Sequence, residues 1–415
     1  MTGRRTPPGV GRGPPVDSPV VQHRRLVLTF GVLSALFSSG YGVMFTMLDD
    51  FRDAYGIAAS ALGLVVAAGF FSSFFAQVFI APLADRGHAR QLVYLGMLFN
   101  VGGLVAMAFG TNVVVLMLAR VIMGIGAGMA LPAIRRIVIL ADPDNLGNNI
   151  GRLLAADVAG FAVGPAVSAV LVGPFGIAAP FLVIAVATIA CLPVIIRVKV
   201  NESAAANHPQ TRFAFDLLRS RPYLGTILLG SAAYLMFGTF DALWVLVLSD
   251  LHTNEVIANL GITLFAVPLM LLGSFGGRLA QRIGPFRLGS IGLMFGAGFM
   301  FTYGQLPSGI AMFCVSIFHA IQDGMTVASA GVAVGMVAPI DRQAGAQGLM
   351  GGVQTLVGGV AAITAGALYQ HAGRATAYTV CAVAMTILVA ASLACAGRGW
   401  SATSHQVSAA VATPA

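Results

Sequence analysis

Six residues that carry a charge or a strong hydrogen-bonding group sit inside apolar stretches of this chain: Arg120, Asp157, Asp241, His319, Asp323 and Gln354. An ionisable group at the centre of a bilayer costs about 2.5–3.5 kcal/mol, so each one needs a reason to be there. His319 and Asp323 are four residues apart and share one helix face, a pair able to take up and release a proton. Asp241 lies one helical turn from both Phe237 and Trp244. An acid flanked by aromatic surface suits either a proton or a lipophilic cation. The competing reading is that these groups merely hydrogen-bond between helices; it weighs most on Asp157, nearer a helix end, and on Gln354. No covalent chemistry follows from them. They point to binding and proton exchange, without catalysis, cofactor or metal.

The elements that must position these residues are membrane helices. Hydrophobic residues make up 57% of the 415, charged residues only 9%, and the mean hydropathy is +0.87. A soluble protein carries about 25% charged residues. A spanning helix needs about 20 mostly apolar residues. Twelve such runs are predicted: 26–48, 59–80, 91–110, 113–134, 150–172, 178–196, 223–248, 257–279, 286–305, 308–334, 345–368 and 376–397. They are too long and too uniformly apolar for the alternating strands of a barrel. The fold class is therefore all-α, with residues 24–196 and 223–398 forming two six-helix bundles. A linker at 197–222 joins them, and tails at 1–23 and 399–415 are expected to be disordered and cytoplasmic.

The division into two bundles rests on a repeat. The turn LADRGHAR at Leu83–Arg90 returns 196 residues later as LAQRIGPFR at Leu279–Arg287. At nearly the same offset Gly128-Met129 echoes Gly324-Met325, and Gly176 and Phe181 echo Gly373 and Tyr378. A parallel duplication accounts for all of them. Glycine supplies packing surfaces within it: Gly124, Gly126 and Gly128 stripe the fourth helix, while Gly160 and Gly164-Pro165 interrupt the fifth.

The net charge of +8 reflects topology rather than a nucleic-acid surface. Of the 23 Lys and Arg residues, only Arg52 and Arg374 fall on the outer side and Arg120 inside a span; the rest, Arg135 and Arg136 included, count as cytoplasmic. That asymmetry is the positive-inside rule. The four cysteines (Cys191, Cys314, Cys381, Cys395) lie within spans without paired spacing. They read as packing residues. Gly124–Gly128 is no nucleotide loop, because no strand precedes it and the only lysine is Lys199.

These features resemble the major facilitator superfamily of secondary transporters over nearly the whole chain, most closely its drug:proton antiporter branch. The signature between that family's second and third helices is matched by Leu83, Ala84, Asp85, Arg86 and Arg90; Ala81 replaces its first glycine, and Gly87-His88 shifts its second. The second copy keeps Leu279, Ala280, Arg282, Gly284 and Arg287 but has Gln281 in place of the acid. The resemblance implies that Asp85 faces the amino end of the helix beginning near Gly345, and that Arg86 and Arg90 meet Asp142 or Asp144. Such contacts would lock one state of a gate. Arg120 with Gly124 resembles the family's proton-linked fourth-helix motif. Gly160, Gly164 and Pro165 resemble its antiporter motif, which here ends in Ser168-Ala169. The first-helix proline motif of drug:proton antiporters is absent. The family places helices one, four, seven and ten around a cavity, where Tyr41, Phe45, Tyr234, Phe237, Phe318 and Met325 would add aromatic and thioether surface.

The function this implies is proton-coupled export of a small amphipathic or lipophilic compound by alternating access, with Asp241 and Asp323 as leading proton carriers. The alternative on the same fold is an uptake symporter or an exporter of a sugar or other metabolite. A membrane receptor or scaffold that moves nothing is the rival of a different class, separated by following substrate flux while the pH gradient is inverted. The membrane subunit of an ATP-driven pump would require a partner ATPase, because the sequence has no nucleotide motif. The expected partners are a small-molecule cargo, protons and the lipid bilayer, with no nucleic acid. The protein is expected to act as a monomer in the cell (inner or plasma) membrane, with both termini cytoplasmic.

Overall fold

The computed structural model describes residues 19–198 and 212–397. The expected tails lie outside these residues except for 19–23, which belong to the first helix; so do residues 199–211 of the expected linker. In hydrocarbon every backbone N–H and C=O must be satisfied within its own segment, so the apolar runs become helices. Among the described residues there is no strand.

The first half holds α1 (Pro19–Thr46), α2 (Ala59–Phe79), α3 (Ala89–Phe109), α4 (Val113–Ala141), α5 (Leu146–Phe175) and α6 (Ala178–Arg197). The second half holds α7 (Arg221–Asp250), α8 (Glu255–Ile283), α9 (Pro285–Gln305) and α10, which comes in two pieces (Gly309–Thr326 and Ala328–Val337). One continuous stretch, Gln343–Ala396, supplies α11 (343–372) and α12 (374–396), separated only where Gly373 leaves helical geometry at φ 82°. This is the twelve-helix, two-bundle architecture read from the sequence.

The duplication is visible in the backbone. Gly87 and Gly284 turn the chain at equivalent loops with φ of 83° and 101°, and Gly176 and Gly373 do so at 79° and 82°. Only glycine adopts that region without penalty. Asn112 caps α4 by accepting from the Val115 N–H at 3.1 Å, and Ser308 caps α10 by accepting from Ala311 at 3.3 Å. Both halves therefore start equivalent helices with the same device.

Glycine sets how closely the helices pack. A Cβ at Gly124 would run into Ser72 and the Gly69 carbonyl on α2; at Gly160 or Gly164 it would run into the α1 backbone near Ala35 or Gly42. The halves approach closely where Gly147 of α5 meets Gly277 of α8, and a Cβ on either would overlap the other's carbonyl oxygen.

Several helices outrun their expected ends. α4 continues past residue 134 to Ala141, and α5 begins at Leu146 rather than near 150. The 20-residue rule measures lipid thickness, and these ends are held by protein instead.

Candidate functional site

A cavity of about 400 Å³ lies between the halves, walled by helices of both. Its aromatic surface comes from Phe161, Tyr234, Phe237, Phe240 and Phe265. Asp241, Asp157 and Gln354 reach it as well. Asp241 is exposed to the cavity and has neither a hydrogen bond nor an ion pair among the described residues. Asp157 accepts a short hydrogen bond from the Ser34 hydroxyl, and Arg135 stands 3.7 Å from its other oxygen. Gln354 packs its amide against Gly230 on α7.

The cavity is shut at the end that carries the basic turns. Asp85 accepts from the Ala344 N–H at 2.9 Å and the Gly345 N–H at 2.7 Å, at the start of α11. The same carboxylate takes Arg136 Nε at 3.0 Å, with both side chains almost wholly buried. A carboxylate at a helix amino end gains from the helix dipole as well as from the two N–H groups. On the other seam Gln281 accepts from the Gly147 N–H at 2.7 Å and donates to the Asp144 carbonyl at 2.8 Å, while Arg278 donates to Asn148 at 2.8 Å. These hydrogen bonds join the two halves at the end that carries the basic turns.

The expected contact of Asp85 with α11 is present, but the arginine pairing is different. Arg90 donates to the Tyr94 hydroxyl and the Ile196 carbonyl. Asp142 pairs with His23 at 3.2 Å, and the ion pair of the turn is Asp85–Arg136. Because α4 extends to Ala141, Arg136 stays inside the packing and reaches the acid first. Arg86 is half-buried on the turn, and Arg282 and Arg287 are exposed.

His319 and Asp323 do share a helix face, but that face is turned away from the cavity. Both are fully buried, 3.5 Å apart. The His319 ring meets the Tyr303 hydroxyl at 3.1 Å and Met236 Sδ at 3.3 Å, and stacks on Phe299. Phe265 separates them from the cavity: it contributes to the wall and meets His319 edge-on, with centroids 5.4 Å apart. Trp244 is likewise behind the wall, stacked on Phe240 at 4.7 Å. Arg120 is buried in the first bundle beneath the Tyr41 ring at 4.6 Å, with no hydrogen bond to its guanidinium. Of the six expected aromatic and Met residues only Tyr234 and Phe237 line the cavity, and Phe318 is 66% exposed on the outer surface.

Arg135 and Arg136, topology markers by sequence, are a cavity residue and the buried ion-pair partner of Asp85. Their signal was adjacency to the unbroken α4 pattern, which the basic dipeptide masked.

The family model of the Major Facilitator Superfamily matches residues 28–249. Quinolone resistance protein NorA of Staphylococcus aureus is 33% identical over 143 residues, 34% of this chain and 36% of that protein. Multidrug resistance protein 2 of Bacillus subtilis is 27% identical over 202 residues, 46% of this chain and 50% of that protein. The chain thus spans between about a third and a half of the length of these curated relatives. Among solved structures, the proton:xylose symporter XylE superposes with a TM-score of 0.76 at 15% identity, covering 95% of this chain and all (100%) of that one. The human organic anion transporter MFSD10 (TETRAN) gives 0.67 at 16%, covering 89% and 99%.

Proposed function

The chain belongs to the major facilitator superfamily, and on that footing we propose that it is a secondary transporter exporting small amphipathic or lipophilic compounds in exchange for protons. The observation that carries this reading is the lone Asp241 in an aromatic-walled cavity that is open at one end and locked at the other. An ionised carboxylate there attracts a cationic group, and its protonation releases it. The partial likeness to a quinolone resistance and a multidrug resistance protein supports drug-like cargo. A sugar site needs many fixed polar groups, and beside Arg135, Asp157 and Asp241 the cavity offers Gln347, Gln354 and Tyr234 among apolar walls.

In this reading the basic end faces the cytoplasm of a cell with the protein in its plasma membrane, both termini are inside, and the bundles 24–196 and 223–398 rock as a monomer. The conformation described is then the outward-open one. Asp241 exchanges protons with the cavity, and Asp323, with His319, is a second carrier reached when the aromatic wall moves. Cargo-induced proton movement in proteoliposomes tests this, comparing the parent with Asp241→Asn and Asp323→Asn. Each variant is expected to lose coupled proton flux; coupling retained in both overturns the carrier assignment.

A further inference from the structure

Resting on the reading of the cavity as the cargo site, we propose that Arg135 docks a carboxylate of the cargo opposite Asp241, so that the cavity selects compounds bearing both an anionic and a cationic group. Arg135 faces the cavity with its side chain 25% exposed. Its one charged neighbour, Asp157, is at 3.7 Å, beyond hydrogen-bond reach, and that acid is engaged by the Ser34 hydroxyl. Among the described residues no acceptor takes a hydrogen bond from Arg135.

A satisfied arginine in this protein looks different. Arg342 grips both oxygens of Asp216 at 2.9 and 2.7 Å and the Phe213 carbonyl at 2.9 Å. A guanidinium is a planar fork of five donors that matches a carboxylate bidentately. Asp157 stands off at 3.7 Å, so the donors of Arg135 that face the cavity are positioned for the carboxylate of a ligand.

The duplication sharpens the point. The repeat position of Arg135, 196 residues on, is Gly331, which also lines the cavity and puts no side chain opposite the fork. The repeat position of Asp241 is Phe45. The first half thus presents Arg135 on α4, held only at 3.7 Å by Asp157, and the second half presents Asp241 on α7 without a partner among the described residues; Phe161, Phe237 and Phe240 line the same cavity. A purely cationic cargo would meet Arg135 as a like charge. A cargo with a carboxylate at one end and a cation at the other meets both charges favourably.

Rhodamine B and its ethyl ester share one cationic ring system and differ in the free carboxylate. Their binding to the full chain in lipid nanodiscs is followed by fluorescence polarisation at neutral pH. The parent is expected to bind the acid about tenfold tighter than the ester. Arg135→Gln removes that preference by weakening the acid dye, while ester binding, which also reports correct folding, is strengthened by loss of the like charge. Arg135→Lys, keeping charge without the fork, falls between. Asp157→Asn removes the competing acid and raises affinity for the acid dye alone. The assignment is overturned if the parent shows no preference, if Arg135→Gln keeps it, or if Asp157→Asn shifts both dyes alike. Equal binding of both dyes removes only the role of Arg135; binding of neither removes the cargo-site reading as well.

Discussion

Asp85 and Gln281, 196 positions apart, make the same contact on opposite seams: each accepts from the backbone N–H groups that begin a helix of the other half. Asp85 reaches Ala344 and Gly345 on α11; Gln281 reaches Gly147 on α5. The geometry survived the loss of charge in the second copy, because an amide oxygen accepts an N–H as a carboxylate does, and its NH2 gained the Asp144 carbonyl. The two seams are alike in shape and unequal in strength. The first adds a buried ion pair to Arg136.

Removing the stronger latch should open the basic end. Asp85→Ala leaves Arg136 buried without its counter-charge, a loss of about 3–5 kcal/mol. Single cysteines at the basic ends of α2 and α11 should then label faster, and transport should fall. Unchanged labelling would show that the contact is not a gate.

The weaker latch should matter less. Gln281→Leu deletes two uncharged hydrogen bonds worth about 1 kcal/mol each. The same labelling assay is expected to show a smaller opening than for Asp85→Ala. The reverse order would mean the second seam controls closure.

Bulk at the glycine contact should hold that end apart. Gly277→Val places atoms where the Gly147 carbonyl lies, and overpacking costs at least about 1–3 kcal/mol. Gly102→Ala, whose added Cβ meets nothing within 4 Å, serves as the control. Inter-bundle spin-label distances should lengthen at the basic end in the first variant only.

The aromatic wall predicts a difference in reactivity between two acids. A water-soluble carbodiimide with a small amine should modify Asp241 and spare Asp323 in the parent, read by peptide mass spectrometry. Phe265→Ala removes the ring between the cavity and His319 and should bring Asp323 into reach. Equal labelling of both acids in the parent would contradict the wall.

The sequence alone determined the twelve helices, the duplication, the Asp85 turn and Asp241 as an acid among aromatics. Those are local facts: apolar run length, a repeated spacing and an offset of one turn. Only the tertiary structure decided which way each polar side chain points. Successive helix residues turn about 100°, so a small error in a helix's rotation exchanges cavity for core. His319 and Asp323 share a face as their spacing requires, yet that face packs on Tyr303 and Phe299. Trp244, one turn from Asp241, faces Phe240 rather than the cavity. Arg135 and Arg136 are adjacent, yet one lines the cavity and the other pairs with the buried Asp85, because α4 extends beyond the length hydropathy assigns it and its end is enclosed by protein from both halves.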